Sequence, residues 1–155
     1  MTTPRVSVIY GSTSDEAAMT PCFDTLKDLG IAFEARVLSA HRNPVALARY
    51  VRTLPKRGVK VVIAAAGLAA ALPGVVAAHT HLPVLGVPVA TGPLNGLDAL
   101  FSIVQMPGGV PVGTLAIGKA GAKNSAFLAA RILALSDPAL SKRLLAKSKP
   151  KGAQR

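Results

Sequence analysis

A chain of 155 residues has the length of one domain, enough to bury a core and too short for two. Half of it is hydrophobic and only 16% is charged, so there are too few charges to cover the outside, and part of the apolar surface is expected to lie between subunits. The net charge of +11 would suit an anionic partner, but six of the 18 basic residues (Lys142, Arg143, Lys147, Lys149, Lys151 and Arg155) crowd into the last helix and tail, and the 4% of aromatics include no Trp to stack on bases, which argues against nucleic acid and a membrane surface.

Short β-rich runs alternate with helical patterns along the chain. Val6-Ser7-Val8-Ile9-Tyr10 reads as a strand, followed by a helix over about 15–29 in which Pro21 should introduce a kink. A second strand is expected over 32–37 and a helix over 44–54, opened by the cap-then-proline pair Asn43-Pro44. The continuous apolar run at 59–64 is a third strand, buried on both faces. A short helix over 73–78 leads to a fourth strand at 84–87, then a helix over 96–104 and a fifth strand over 112–117. Helices over 122–135 and from Pro138 to about Lys147 close the chain, the second opened by Asp137-Pro138.

This alternation predicts a single-domain, three-layer α/β fold of flavodoxin-like type, with a five-stranded parallel sheet, helices on both faces and a C-terminal helix. The domain is expected over 1–146, with a basic, flexible tail over 147–155. Cys22 has no partner for an internal disulfide and falls on a helix, as a small buried residue in a reducing compartment would. Met1-Thr2-Thr3-Pro4-Arg5 runs straight into a strand without a leader pattern, and Pro and Gly interrupt every apolar stretch, so a soluble, cytoplasmic protein is expected.

Ligands in such sheets bind beyond the carboxyl ends of the strands, where strand order reverses. Two segments fall there. Gly11-Ser12-Thr13-Ser14-Asp15 joins the first strand to its helix and offers hydroxyls and free N–H groups at a helix start, a plausible phosphate cradle. It has neither the Lys nor the glycine spacing of a P-loop, and Thr13 and Glu16 have capping-box spacing, so capping and anion binding both fit. Ser39-Ala40-His41-Arg42-Asn43-Pro44 follows the second strand. Arg42 could fork onto a phosphate or carboxylate, and His41 carries an imidazole that could move a proton either way. Taken alone these are an exposed loop His and a solvated Arg; their pairing with the first loop across neighbouring strands favours a site.

Other candidates carry less. His79 and His81 stand two apart with no Cys or carboxylate near in sequence, too little for a metal. The small-residue run from Ala64 to Gly74 fits either close approach to a ligand or tight helix packing, and Lys119, Lys123 and Asn124 fit surface groups.

Gly11-Ser12-Thr13-Ser14-Asp15, Ser39-Ala40-His41-Arg42, Leu72-Pro73-Gly74, Ser102-Ile103-Val104-Gln105-Met106-Pro107 and Pro111-Val112-Gly113-Thr114-Leu115-Ala116-Ile117-Gly118 together resemble the PurE family of purine biosynthesis, in its bacterial mutase branch. The resemblance runs nearly without gaps from Val6 to Leu144. It implies an isomerase that moves a carboxylate from the exocyclic nitrogen of 5-(carboxyamino)imidazole ribonucleotide to a ring carbon, without metal, ATP, biotin or any other cofactor, in a homo-octamer with sites at subunit junctions. It implies His41 as the acid–base group and Ser12, Asp15 and Arg42 as nucleotide-binding positions. Ser14 would be a further loop contact, Ser39 and Ala40 would line the pocket by backbone, and Gly67 and Leu72 would complete it.

The likeness has a gap. Where the mutases carry Gly-Gly-Ala-Ala-His-Leu-Pro-Gly, this chain reads Gly67-Leu68-Ala69-Ala70-Ala71-Leu72-Pro73-Gly74, and Gly108 stands where an arginine is common. Leu68 would crowd the space for the base, and Ala71 removes a polar group near the carboxylate. The alternative left open by these changes is a PurE-like paralogue with another substrate, or one that binds ligand without turnover.

Overall fold

The structure, a computed structural model, describes residues 3–147. Five parallel strands, β1 (Val6–Tyr10), β2 (Phe33–Val37), β3 (Val61–Ala66), β4 (Val84–Pro88) and β5 (Gly113–Thr114), form one sheet in the order β2-β1-β3-β4-β5. This is the flavodoxin-like order. β1 sits between β2 and β3 in register, with Val6 opposite both Phe33 and Val61. Helices α1 (Glu16–Asp28), α5 (Lys119–Ala134) and α6 (Pro138–Lys147) cover one face, and α2 (Pro44–Thr53), α3 (Leu72–Ala78) and α4 (Leu97–Val104) the other.

The period of two along each strand divides the core. Val6, Val8 and Tyr10 of β1 with Val61, Ile63 and Ala65 of β3 point to the α1/α5 side, against Met19, Cys22, Leu26 and Ala126. Ile9, Val62 and Ala64 point to the other, against Leu47, Val51, Leu72 and Ile103. Ser7 shares that second face and is fully buried. Its hydroxyl pairs with the Tyr50 hydroxyl at 2.8 Å, Tyr50 donates to Glu34 Oε1 at 2.7 Å, and Arg57 forms an ion pair with Glu34. This chain of bonds satisfies a polar group in the core and ties α2 to β1 and β2.

Strand and helix limits depart from the sequence expectations for local reasons. β3 starts two residues late because the Val59 N–H is held by the Leu54 carbonyl at the end of α2, and the ladder opens only where Lys60 and Val61 donate to Arg5. It ends on three alanines, poor strand formers that burial between two layers selects for their size. β5 shrinks to two paired residues, since beyond Thr114 the chain turns away into α5 and keeps only the single bonds Leu115 N–H to Gly86 and Gly118 N–H to Pro88. α1 continues unbroken through Pro21. Asp137 caps α6, accepting from the Leu140 N–H at 3.0 Å, whereas Asn43 makes no side-chain cap. Ser12, not Thr13, caps the 3-10 turn Thr13–Asp15 that leads into α1. Lys147 ends α6, and the rest of the expected basic tail lies outside the described residues.

The contact between α1 and α5 is made close by small residues: Gly121, Ala122, Ser125, Ala126, Ala129 and Ala130 of α5 are all buried. Cys22 is fully buried here with its sulfur 3.6 Å from Ser125 Oγ, and burial pushes its thiol up to about 12, so it stays protonated. A Cβ on Gly121 would fall 1.6 Å from the Ala116 carbonyl oxygen. Helix propensity alone would favour Gly121→Ala by about 1 kcal/mol. The obstacle is backbone, which yields less than a side-chain end, so overpacking dominates and the variant should lose about 1–3 kcal/mol. Urea unfolding with an unchanged m-value and a lower midpoint is the expected result.

Candidate active site

β1 is followed by α1 on one face of the sheet, and its neighbour β3 by α3 on the other, so the loops beyond their carboxyl ends part and leave a crevice. A cleft of about 550 Å³ opens there, walled by the loops after β1, β2, β3 and β4. His41, Ser12, Ser14, Asp15, Ser39, Ala40, Arg42, Gly67 and Leu72 all line it.

The first loop gathers oxygen. Ser12 is extended (φ −151°), and its Oγ accepts from the Ser14 N–H at 3.4 Å and the Ser14 hydroxyl at 3.0 Å, while the Asp15 N–H returns to the Ser12 carbonyl. With both lone pairs engaged, the Ser12 hydroxyl proton is left to donate outward. Asp15 is only 7% exposed. Burial raises its pKa, against the opposing pull of the Ser12 backbone N–H and the Arg42 charge.

The second loop extends the sheet by one bond, Leu38 N–H to Tyr10, and then turns sharply. Buried Ser39 makes that turn: its Oγ accepts from the Arg42 N–H at 3.2 Å and its carbonyl from the Asn43 N–H at 2.9 Å. His41 and Arg42 are thereby exposed on the cleft side. Arg42 Nη2 donates to the Gly11 carbonyl at 3.2 Å, linking the first two loops, and the remaining guanidinium donors are available to an anion. The His41 ring makes no hydrogen bond among the described residues.

Gly67 opens the third loop because nothing larger fits: a Cβ there would lie 2.1 Å from Thr91 Oγ1. Leu68 follows with φ +56° and is half exposed. A left-handed leucine costs about 1–2 kcal/mol relative to the right-handed region. Leu72 is 1% exposed and is at once cleft floor and core residue.

Thr91, beyond β4, also lines the cleft and was not singled out from sequence. The available signal was a hydroxyl just before Gly92, past the end of a buried strand. His79 and His81 lie elsewhere, before β4 at the amino end of the sheet, beside a second cavity that Arg52 also lines. Lys119, Lys123 and Asn124 belong to α5 and do not reach the cleft, nor do the segments 102–107 and 111–118. Among the described residues no cluster of three or more His, Cys, Asp or Glu side chains is placed to hold a metal ion.

Known proteins share this sequence and this fold. The family described as AIR carboxylase matches residues 5–154. The N5-carboxyaminoimidazole ribonucleotide mutase of Bacillus subtilis is 54% identical over 141 residues, covering 91% of this chain and 87% of the relative. The Brucella melitensis protein of the same name is 57% identical over 139 residues, covering 90% and 86%. Among solved structures, that of Treponema denticola PurE superposes with a TM-score of 0.82 at 27% identity, covering 93% of this chain and 89% of that one. A family match over nearly the whole length, on a fold shared with a PurE structure, places this chain in the PurE (AIR carboxylase) family.

Proposed function

We propose that this protein is an N5-carboxyaminoimidazole ribonucleotide mutase of purine biosynthesis, transferring the carboxylate of that compound from the exocyclic nitrogen to the ring carbon to give 5-amino-1-(5-phosphoribosyl)imidazole-4-carboxylate. The observation that carries the reading is the meeting of His41 with Ser12, Ser14 and Arg42 in one cleft at the strand-order reversal, in a chain more than half identical to proteins of that name.

The groups divide the work. The Ser12 hydroxyl and Arg42 supply donors for the phosphate, with the Ser14 hydroxyl donating to Ser12 Oγ so that the Ser12 proton turns outward. Asp15, which would repel phosphate if charged, takes ribose hydroxyls. Ser39, Ala40, Gly67 and Leu72 shape the wall around the heterocycle. In the reaction the exocyclic N–C bond breaks with its electron pair returning to nitrogen, carbon dioxide is freed beside the ring, and the electron-rich ring carbon attacks it. The net proton movement is from ring carbon to exocyclic nitrogen. One imidazole, His41, can give the first proton and recover the second. No cofactor enters this scheme. A closed cleft keeps the carbon dioxide at high effective concentration.

The assembly we infer is a homo-octamer. The support is α4, whose Leu97, Phe101 and Val104 recur on one helical face and are 46%, 55% and 48% exposed, a stripe too apolar to be left in water. We place the enzyme in the cytoplasm, with neither nucleic acid nor membrane as partner. Among the described residues no helix is long and apolar enough to cross a membrane.

Three outcomes are expected. His41→Asn should lower kcat by about 10²–10⁴-fold while ligand affinity, read by calorimetry, is largely kept; unchanged turnover would remove His41 from the mechanism. Asp15, with its pKa raised on folding, binds more proton folded than unfolded just above pH 3.8, so its contribution to stability falls as pH rises through that window. Asp15→Asn should therefore be more stable than wild type at neutral pH in urea unfolding, with weaker nucleotide binding. Phe101→Lys should shift the protein to a smaller species by light scattering, whereas an unaltered mass would place the interface elsewhere.

A further inference from the structure

The third loop brings no hydrogen-bonding side chain to the cleft: Ala66, Gly67, Leu68, Ala69, Ala71 and Leu72 are all apolar. On that side the one side-chain donor lining the cleft is Thr91, in the loop after β4. Its place is fixed sterically. A Cβ on Gly67 would fall 2.1 Å from Thr91 Oγ1 and 3.4 Å from Thr91 Cβ, so the threonine stands against the bare Cα of Gly67. Its backbone is held by the bond from the Thr91 N–H to the Val89 carbonyl at 3.0 Å. The hydroxyl itself has no partner among the described residues. It is not sealed in either, because no buried side-chain oxygen or nitrogen among those residues lacks a partner. The Thr91 hydroxyl therefore opens on the cleft with a proton to donate.

We propose that Thr91 is the residue by which the cleft tells a carboxylated nucleotide from an uncarboxylated one, its hydroxyl donating to the carboxylate that the reaction moves. The inference rests on the mutase reading. In that reading Ser12 and Arg42 hold the phosphate, Asp15 the ribose, and His41 moves the proton, which leaves the carboxylate without a side chain of its own. A carboxylate set against the apolar third loop without a donor would lose its hydration uncompensated. The exocyclic nitrogen and the accepting ring carbon are joined through a single atom, so the carboxylate leaves and lands on one edge of the ring, within reach of one hydroxyl. The contact has a direction. A hydroxyl bonds a carboxylate anion strongly and neutral carbon dioxide weakly, so Thr91 favours the carboxylated states over the decarboxylated one between them. It serves binding and selectivity and does not hasten the bond cleavage.

The test pairs binding with turnover. Calorimetry compares aminoimidazole ribonucleotide with 5-amino-1-(5-phosphoribosyl)imidazole-4-carboxylate, which differ only by the carboxylate, on folded wild type, Thr91→Val, Thr91→Ala and Thr91→Ser. Val and Ala both remove the hydroxyl, Ala without setting a methyl against Gly67. Both should bind the carboxylate about 10–100-fold more weakly while the uncarboxylated nucleotide changes by less than about three-fold, and Thr91→Ser should keep the preference. With N5-carboxyaminoimidazole ribonucleotide as substrate, KM should rise with Val and Ala while kcat falls far less. Equal weakening of both nucleotides, a loss with Val that Ala does not share, or a fall in kcat at constant KM would each overturn the assignment of Thr91, and wild-type turnover would leave the mutase reading standing. If folded wild type forms no ring carboxylate, that reading and this inference both fall.

Discussion

Everything the cleft does depends on β1 pairing in parallel with β2 on one edge and β3 on the other. That arrangement puts the carboxyl ends of three strands side by side and sends the chain from β1 and β3 to opposite faces. The loops must separate above it, and helix starts with unpaired N–H groups ring the gap. A buried, continuous hydrophobic strand is what makes the pairing secure: all five residues of β1 and all six of β3 are buried, so a slip of register would bring Ser7 to the wrong layer and strand its hydroxyl without Tyr50.

The polar core network carries this constraint outward. Ser7, Tyr50, Glu34 and Arg57 connect β1, the edge strand β2, α2 and the turn after it, and the Arg36 and Arg57 guanidiniums lie 5.9 and 5.6 Å from the Tyr50 ring centre. Because α2 is anchored at Tyr50, the Ser39 turn at its start has little freedom, and the Arg42 bond to Gly11 closes the frame. His41 therefore stands on a loop fixed at both ends, the preorganisation that its proposed proton transfer in a small cleft would require.

Much of this was legible in the sequence because the determinants are local. Period-two and continuous apolar runs mark β1 and β3, and Pro44 and Pro138 mark helix starts in the places where the chain begins α2 and α6. The two loops richest in chemistry follow directly once strands 1 and 2 are assigned. What was not legible depends on distant contacts. The true start of β3 is decided by Arg5, the length of β5 by where α5 must pack, and the place of Thr91 by its approach to Gly67. The capping-box spacing of Thr13 and Glu16 goes unused for a local reason instead: Ser12 reaches Ser14 first, and a 3-10 turn takes the place of the opening helical turn.

The segments that most strongly marked the family lie outside the cleft of a single subunit, and their packing explains why such long motifs exist. Met106 lies against Gly74, with its sulfur 3.0 Å from where a Cβ would be, and Ile103 and Val112 press on Gly86 of β4 in the same way. Ala116 sits under Gly121. Each contact allows one residue on one side and demands a particular shape on the other, so substitutions there are felt at once in a close-packed interior. Cleft walls are less constrained, because one side of each contact is solvent or ligand. Leu68 and Ala71 stand on such a wall, whereas the contacts that hold β4, β5 and α5 together are closed on both sides. A fold specified by buried close approaches can thus be kept whole while the lining of its site varies, and the Ser39 turn that carries His41 and Arg42 lies on the rigid side of that division.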